Sequence, residues 1–369
     1  LPKVAVRDIA IQPRDGDLLL ATHGRGIYVV DDLTPLRNLS VGAMDNPVTM
    51  LPGRPVQQRI RSGGGWVDGD AVYVGDNPAD GAVISYYLKS RQVIGKLSVD
   101  VLDANGKVVD TLPAGKRRGL NRVTWSMLTS PPLVPPAAQI AGNAAQGPRA
   151  LPGRYTVRLT RAGKVTTMPL VVGLDRRAKF TLADRQAQFA QATRVKGLFS
   201  RMSLLVERIT ALRDQAAATS TKVAAGDPLR AQLTAYSGKA ESLRKLVVAT
   251  SEGGAITGEQ RLREDTADVY GAIMSTEGRP TPYAVARVGV LDRELGDVEK
   301  KFGTLSGAEL RSLNGKLKAK SLPPLTVPSS IAQDDVPVDG GNAAVSTIFR
   351  GLVGTRVYGT IATSADRDR

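Results

Sequence analysis

The chain has 369 residues, 42% of them hydrophobic, with one histidine and no cysteine. That length exceeds one ordinary core and predicts two or three domains. No apolar run reaches the ~20 residues of a membrane-spanning helix, and the missing cysteines exclude disulfides, thiolate metal sites and cysteine nucleophiles. Fifty Lys and Arg against 35 Asp and Glu give a net charge of +15, which favours anionic partners such as an acidic polysaccharide or a membrane surface. Nucleic acid is disfavoured, because the cations are dispersed and aromatics make up only 4% of the chain, too few for a stacking platform.

The chain opens at Leu1 with no Met and no basic-then-apolar leader, which reads as a fragment or a processed end. Residues 1–40 then read as three short strands, "KVAVRDIAIQP", "LLLAT" and "IYVVDD", separated by the turns "RDGD" and "HGRG". Three such strands bury too little surface to stand alone and need partner strands. Residues 41–70, rich in Gly, Pro and Asn, read as a linker carrying Gly63–Gly65 and Trp66. The glycines lack the Lys-Ser/Thr that a phosphate loop requires.

Residues 71–176 read as an immunoglobulin-like β-sandwich without its cysteine pair. "AVISYYL" and "KLSVDVLD" alternate in hydrophobicity, and "DANGK" carries the Asn-Gly pair of a tight hairpin. Trp125, in the alternating strand "RVTWSM", is expected to fill the core. The Pro- and Ala-rich loop over 130–150 is expected to be mobile.

From residue 180 to 325 the hydrophobic period becomes 3.6, which predicts an antiparallel helical bundle. Thr181-x-x-Asp184 opens the first helix as a capping box, followed by Val195, Leu198, Met202, Leu205, Ile209 and Leu212 on one face. Asp227-Pro228 opens a second helix, Thr257-x-x-Gln260 a third, Thr281-Pro282 a fourth and Ser306-x-x-Glu309 a short fifth. Arg and Lys on the polar faces are interleaved with Glu and Asp, the pattern of a solvated surface. The tail over 326–369 has no definite assignment.

Two clusters are candidates for chemistry. His23 and Arg25 stand near Asp31 and Asp32 in sequence, with Asp15 and Asp17 a turn away. Paired carboxylates act on glycosidic bonds, and Arg25 could orient an anionic sugar; turn and strand-end roles account for the same residues. "GDNPADG" offers Asp76, Asn77 and Asp80 as oxygen ligands for calcium, but lacks the alternation and the terminal Glu of an EF-hand, so a plain loop is the better reading. No other constellation calls for a cofactor or metal.

"DIAIQPRDGDLLLATHGRGIYVVDDLTPLR" resembles the closing blade of the large exported bacterial proteins with sortilin-like, Asp-box (BNR) β-propellers that are often labelled glycosyl hydrolases. "GAVISYYLK", "GLNRVTWSM", "LPGRYTVRLT" and "LPPLTVP" resemble that family's sandwich and helical region, so the likeness runs from about residue 4 to 328. No intact Ser-x-Asp-x-Gly-x-x-Trp box is present, and "RDGDLLL" is its echo. The resemblance implies a terminal propeller blade, an immunoglobulin- or fibronectin-like sandwich and a helical bundle in a periplasmic, cell-surface or secreted protein. It implies a non-catalytic binding and scaffolding role, with the upstream propeller or another subunit as partner. Two alternatives follow from it: part of a glycoside hydrolase whose carboxylates lie mainly upstream, and an accessory subunit of a membrane-associated complex.

Overall fold

The structure, a computed structural model, describes residues 3–60, 80–253 and 258–329. Alternating apolar residues between tight turns form β1 (Val6–Gln12), β2 (Asp17–Thr22) and β3 (Ile27–Val30), an antiparallel sheet in the order β1-β2-β3. Gly24 and Gly26 take φ of +72° and +77° in the β2–β3 turn, a region costly to residues with a Cβ. Thr22 closes that turn by donating its backbone N–H (3.1 Å) and its hydroxyl (2.6 Å) to the Gly26 carbonyl.

After two short helices, α1 (Thr34–Arg37) and α2 (Val41–Asp45), the segment expected to be a linker supplies two strands, β4 (Val48–Leu51) and β5 (Val56–Gln58). They lie on either side of the turn at Pro52–Pro55, whose punctuation hides their short apolar runs in the sequence. The remaining strands are β6 (Ala82–Leu88), β7 (Leu97–Leu102), β8 (Val108–Leu112), β9 (Gly119–Trp125), β10 (Gly153–Arg161) and β11 (Lys164–Leu174). They assemble as a three-stranded sheet, β4-β6-β9, and a five-stranded sheet, β5-β11-β10-β7-β8, in which β5 runs parallel to β11. One apolar core lies between the two sheets, with Ile84, Tyr86, Val99, Val123, Trp125, Val157 and Leu159 on their facing sides. Trp125 is fully buried, packs edge-on to Tyr155 at 5.0 Å, and donates its indole N–H to the Leu128 carbonyl at 3.1 Å.

The segment 126–150, which includes the loop expected over 130–150, packs as a strap against the helices. Its ends are tied by Thr129 N–H to Pro148 O (2.8 Å) and Ala150 N–H to Met127 O (2.8 Å). Its middle lies on the helices: Val134, Ala137, Ala141 and Ala144 pack into their core. Side chains of the helices donate to its carbonyls, Ser203 to Leu133 O (2.8 Å), Arg263 to Gln139 O (2.9 Å) and Tyr270 to Gln146 O (2.8 Å). The loop thus satisfies its buried backbone through side chains rather than a ladder.

The helices are α3 (Leu182–Ser220), α4 (Pro228–Val247), α5 (Leu262–Met274), α6 (Pro282–Thr304) and α7 (Leu310–Ala319). The 39-residue α3 is about 60 Å long and begins with the expected Thr181–Asp184 capping box. Its predicted stripe from Val195 to Leu212 is buried in a core shared by all five helices. Helix α5 begins later than expected, with Arg261 at its N-cap and no side-chain cap; Thr257 lies outside the described residues. Ser306 does not open a new helix. The chain passes from α6 to α7 through a π-helical turn, Leu305–Glu309, and the Ser306 hydroxyl donates back to Phe302 O at 2.8 Å. Beyond α7, Leu325 is buried, and Thr326 and Pro328 accept hydrogen bonds from Gln215 and Arg208 of α3.

Candidate functional site

A cleft of about 400 Å³ separates one end of the β1–β3 sheet from the outer face of the β4-β6-β9 sheet. Strand alternation sets this wall: Ile84, Tyr86, Val123 and Trp125 point into the core, so Val83, Ser85, Arg122 and Thr124 line the cleft. Asp15, Asp17, Asp31 and Asp32 line it from the β1–β3 side, and Arg54, Arg59 and Arg176 complete its rim.

Two of the four aspartates hold backbone. Asp32 sits at φ +45°, a left-handed conformation that Asp tolerates better than most residues. Its Oδ1 accepts from Thr34 N–H (3.0 Å) and its Oδ2 from Arg54 N–H (3.2 Å), while its own N–H donates to Asp17 Oδ1 (3.0 Å). Leu33 N–H donates to Gly16 O at 2.9 Å beside them. Asp32 therefore joins the β1–β2 turn, the start of α1 and the chain entering β5. Asp15 accepts from Arg14 Nε at 2.7 Å and lies 3.9 Å from Arg54 Nη1. The Arg14 hydrogen bond, helped by the charges of Arg14, Arg54 and Arg176 and opposed by burial, holds its carboxyl below the usual range. Asp31 is exposed, and among the described residues its side chain accepts no hydrogen bond.

His23 and Arg25 are not part of this cleft. They occupy the exposed β2–β3 turn, at the opposite end of β2 from Asp17, about 17 Å away at strand rise. The cluster that looks contiguous in sequence is therefore split between the two ends of one hairpin. His23 N–H donates to Ala5 O at 2.9 Å, extending the β1–β2 pairing by one residue. Asp80 is exposed and lies 4.0 Å from Arg149 Nη2; Asp76 and Asn77 lie outside the described residues. Among the described residues no group of three His, Asp or Glu side chains is arranged to hold a metal ion, and no helix is long and apolar enough to cross a membrane.

The second notable feature is the β1–β3 sheet itself. Ile9 (61% exposed), Ile11 (50%), Ile27 (71%) and Val29 (55%) stand in solvent on both faces. Every residue of β1 except Gln12 is exposed, and β1 and β3 are both edge strands.

Comparison with protein-family models, with curated proteins and with solved structures finds no match.

Sequence reasoning missed a buried ionic junction between the β-sheets and the helices. Arg185 of α3 is fully buried, Arg149 ends the strap, and both converge on Glu277 of the α5–α6 connection. Arg149 donates to a Glu277 carboxylate oxygen and to Arg59 O (3.0 Å); Arg185 donates to Gln188 and to Arg149 O (3.2 Å). Gln188 donates in turn to Ile273 O at 2.9 Å. A signal was present: 185, 188 and 192 continue the helical stripe that begins at Val195, so two polar residues occupy core positions.

Proposed function

We propose that this chain is a binding and scaffolding region of an exported sortilin-like β-propeller protein, and that β1–β3 is a terminal blade completed by strands from elsewhere. One observation carries the reading: an antiparallel sheet with exposed β-branched side chains on both faces and two edges that pair with no other strand among the described residues. Such edges are normally covered, charged or shortened, because they template pairing with another chain. Here they carry Ile and Val. On this reading β4–β11 form an immunoglobulin-like sandwich and α3–α7 an antiparallel bundle, both docked behind the blade. The family likeness of "ATHGRGIYVVDD" supports the assignment of the blade.

The test is a double substitution, Ile9→Lys with Ile27→Lys, in the protein as isolated with its native partners or upstream segments. Both side chains are exposed in the chain alone, so its melting should be unchanged while assembly in size-exclusion chromatography is lost. Retained assembly would defeat the proposal.

A glycoside-hydrolase reading has a narrower support, the four aspartates of the cleft. Asp17 and Asp32 are engaged with backbone N–H groups, and Asp15 is held ionised by arginine. Asp31, and Asp15 as an ionised carboxylate, are left to meet a sugar. Loss of polysaccharide turnover on Asp31→Asn in a longer chain would revive that reading.

A further inference from the structure

Loop 89–96, between β6 and β7, has the sequence Lys-Ser-Arg-Gln-Val-Ile-Gly-Lys. Val93 and Ile94 at its tip are 78% and 85% exposed. Two aliphatic side chains at a loop tip would ordinarily fold inward, and here the root of the loop prevents it. Gln92 is buried; its N–H donates to Lys116 O at 3.0 Å, its side-chain N–H donates to Ile94 O, and its Oε1 accepts from Arg161 Nε at 2.7 Å. Arg161 also donates to Pro47 O (2.6 Å) and Ser90 Oγ (3.1 Å). The tip is thus held outward by a polar base that is satisfied within the fold.

The Gln92–Lys116 bond places loop 113–118, between β8 and β9, beside it. Neither loop contains an acidic residue. Around the apolar tip stand Lys89, Arg91, Lys96, Lys116, Arg117 and Arg118, all exposed. Lys89 pairs with Asp45 at 3.2 Å; among the described residues the other five make no ion pair. Some cations of the helices are paired instead: Arg201 with Asp292 and Glu299, and Arg213 with Asp214 and Glu241.

We propose that this end of the β-sheets docks on an anionic phospholipid bilayer, with Val93 and Ile94 entering the interface and the surrounding cations meeting lipid headgroups. Aliphatic side chains ringed by unpaired cations match the boundary between acyl chains and anionic headgroups. They do not match a nucleic acid, which would call for stacking rings, and the two loops contain no aromatic residue. The surface uses elements distinct from β1–β3, so its failure would leave the blade reading untouched.

The test is sedimentation of the 369-residue chain with vesicles of phosphatidylcholine alone and of phosphatidylcholine with one-third phosphatidylserine. Binding is expected only to the anionic vesicles and should weaken as salt rises. Val93→Ser with Ile94→Ser should weaken it roughly tenfold, and Arg91→Glu with Lys96→Glu by more than the roughly fivefold expected per cation removed. Because these side chains are exposed, thermal melting should be unchanged. In Ile94→Trp the new indole emission should shift to shorter wavelength when anionic vesicles are added. No vesicle binding, binding unaffected by the Val93/Ile94 change, an unshifted Ile94→Trp emission, or binding to soluble polyanions in place of vesicles would each overturn the proposal.

Discussion

Arg149 and Glu277, from opposite sides of the junction between the β-sheets and the helices, form an ion pair around which a second, fully buried arginine, Arg185, is arranged. The carboxylate compensates two guanidinium groups that would otherwise face each other in a desolvated space; burial and the charge of Arg149 both lower the pKa of Arg185, and Glu277 opposes them. Removing one member of such a group costs far more than its net contribution, because it leaves buried charge uncompensated. Glu277→Gln is expected to destabilise the chain by about 3–5 kcal/mol in urea unfolding. A change below about 1 kcal/mol would mean that water replaces the carboxylate at little cost.

The strap over 126–150 depends on one close approach. A Cβ at Gly147 would lie 1.8 Å from Thr129 O and 2.4 Å from Ser130 O. Gly147→Ala should therefore open the strap's closure, with a loss of about 3 kcal/mol and new protease cleavage between 130 and 146. Unchanged protease resistance would show that the strap is held by its contacts with the helices alone.

Asp32 is expected to act on stability rather than on catalysis. Asp32→Ala removes the acceptor for Thr34 N–H and Arg54 N–H and should cost about 1–3 kcal/mol. Hydrogen exchange should rise at Thr34 and Arg54, with melting of the helices largely unaffected.

The acid limit of stability follows from two carboxylates whose folded pKa is depressed. Glu241 is held at about 2, first by hydrogen bonding to Arg244 and then to Arg213. Asp175 is pulled well below its usual range, chiefly by the Arg177 side chain and further by backbone N–H groups of Arg177 and Ile60. A depressed pKa contributes stability that is complete above the unfolded value and is lost as pH falls toward the folded one. The melting temperature should therefore decline from about pH 4.5 toward pH 2, and Glu241→Gln should flatten that decline. A melting curve independent of pH in this window would contradict both assignments.

The helices were legible because a 3.6-residue period is a local signal: Val195 to Leu212 and Val288 to Phe302 are buried where the stripes place them. Trp125 and the Asn105–Gly106 hairpin were legible for similar reasons, through alternation and turn chemistry. Strands β4 and β5 were not, since four and three residues beside prolines carry no period, and only pairing with β6 and β11 makes them strands. The packing of the strap has no local signal, because its contacts come from side chains of helices far along the chain. The cleft is equally non-local: Asp31 and Arg122 both line it only through the packing of separate sheets. Conversely, proximity in sequence misled for His23 and Asp31, because a strand between two turns carries its ends apart.

On the proposed reading, β1–β3 is an incomplete sheet whose edges are covered in the working protein. The most direct measurement is amide hydrogen exchange across Val6–Gln12, compared between this 369-residue chain and the protein isolated from its native source. The outward-facing β1 amides should exchange rapidly in the chain alone and be strongly protected in the native material. Equally rapid exchange in both would show that the edge stays open, and the blade assignment would fall.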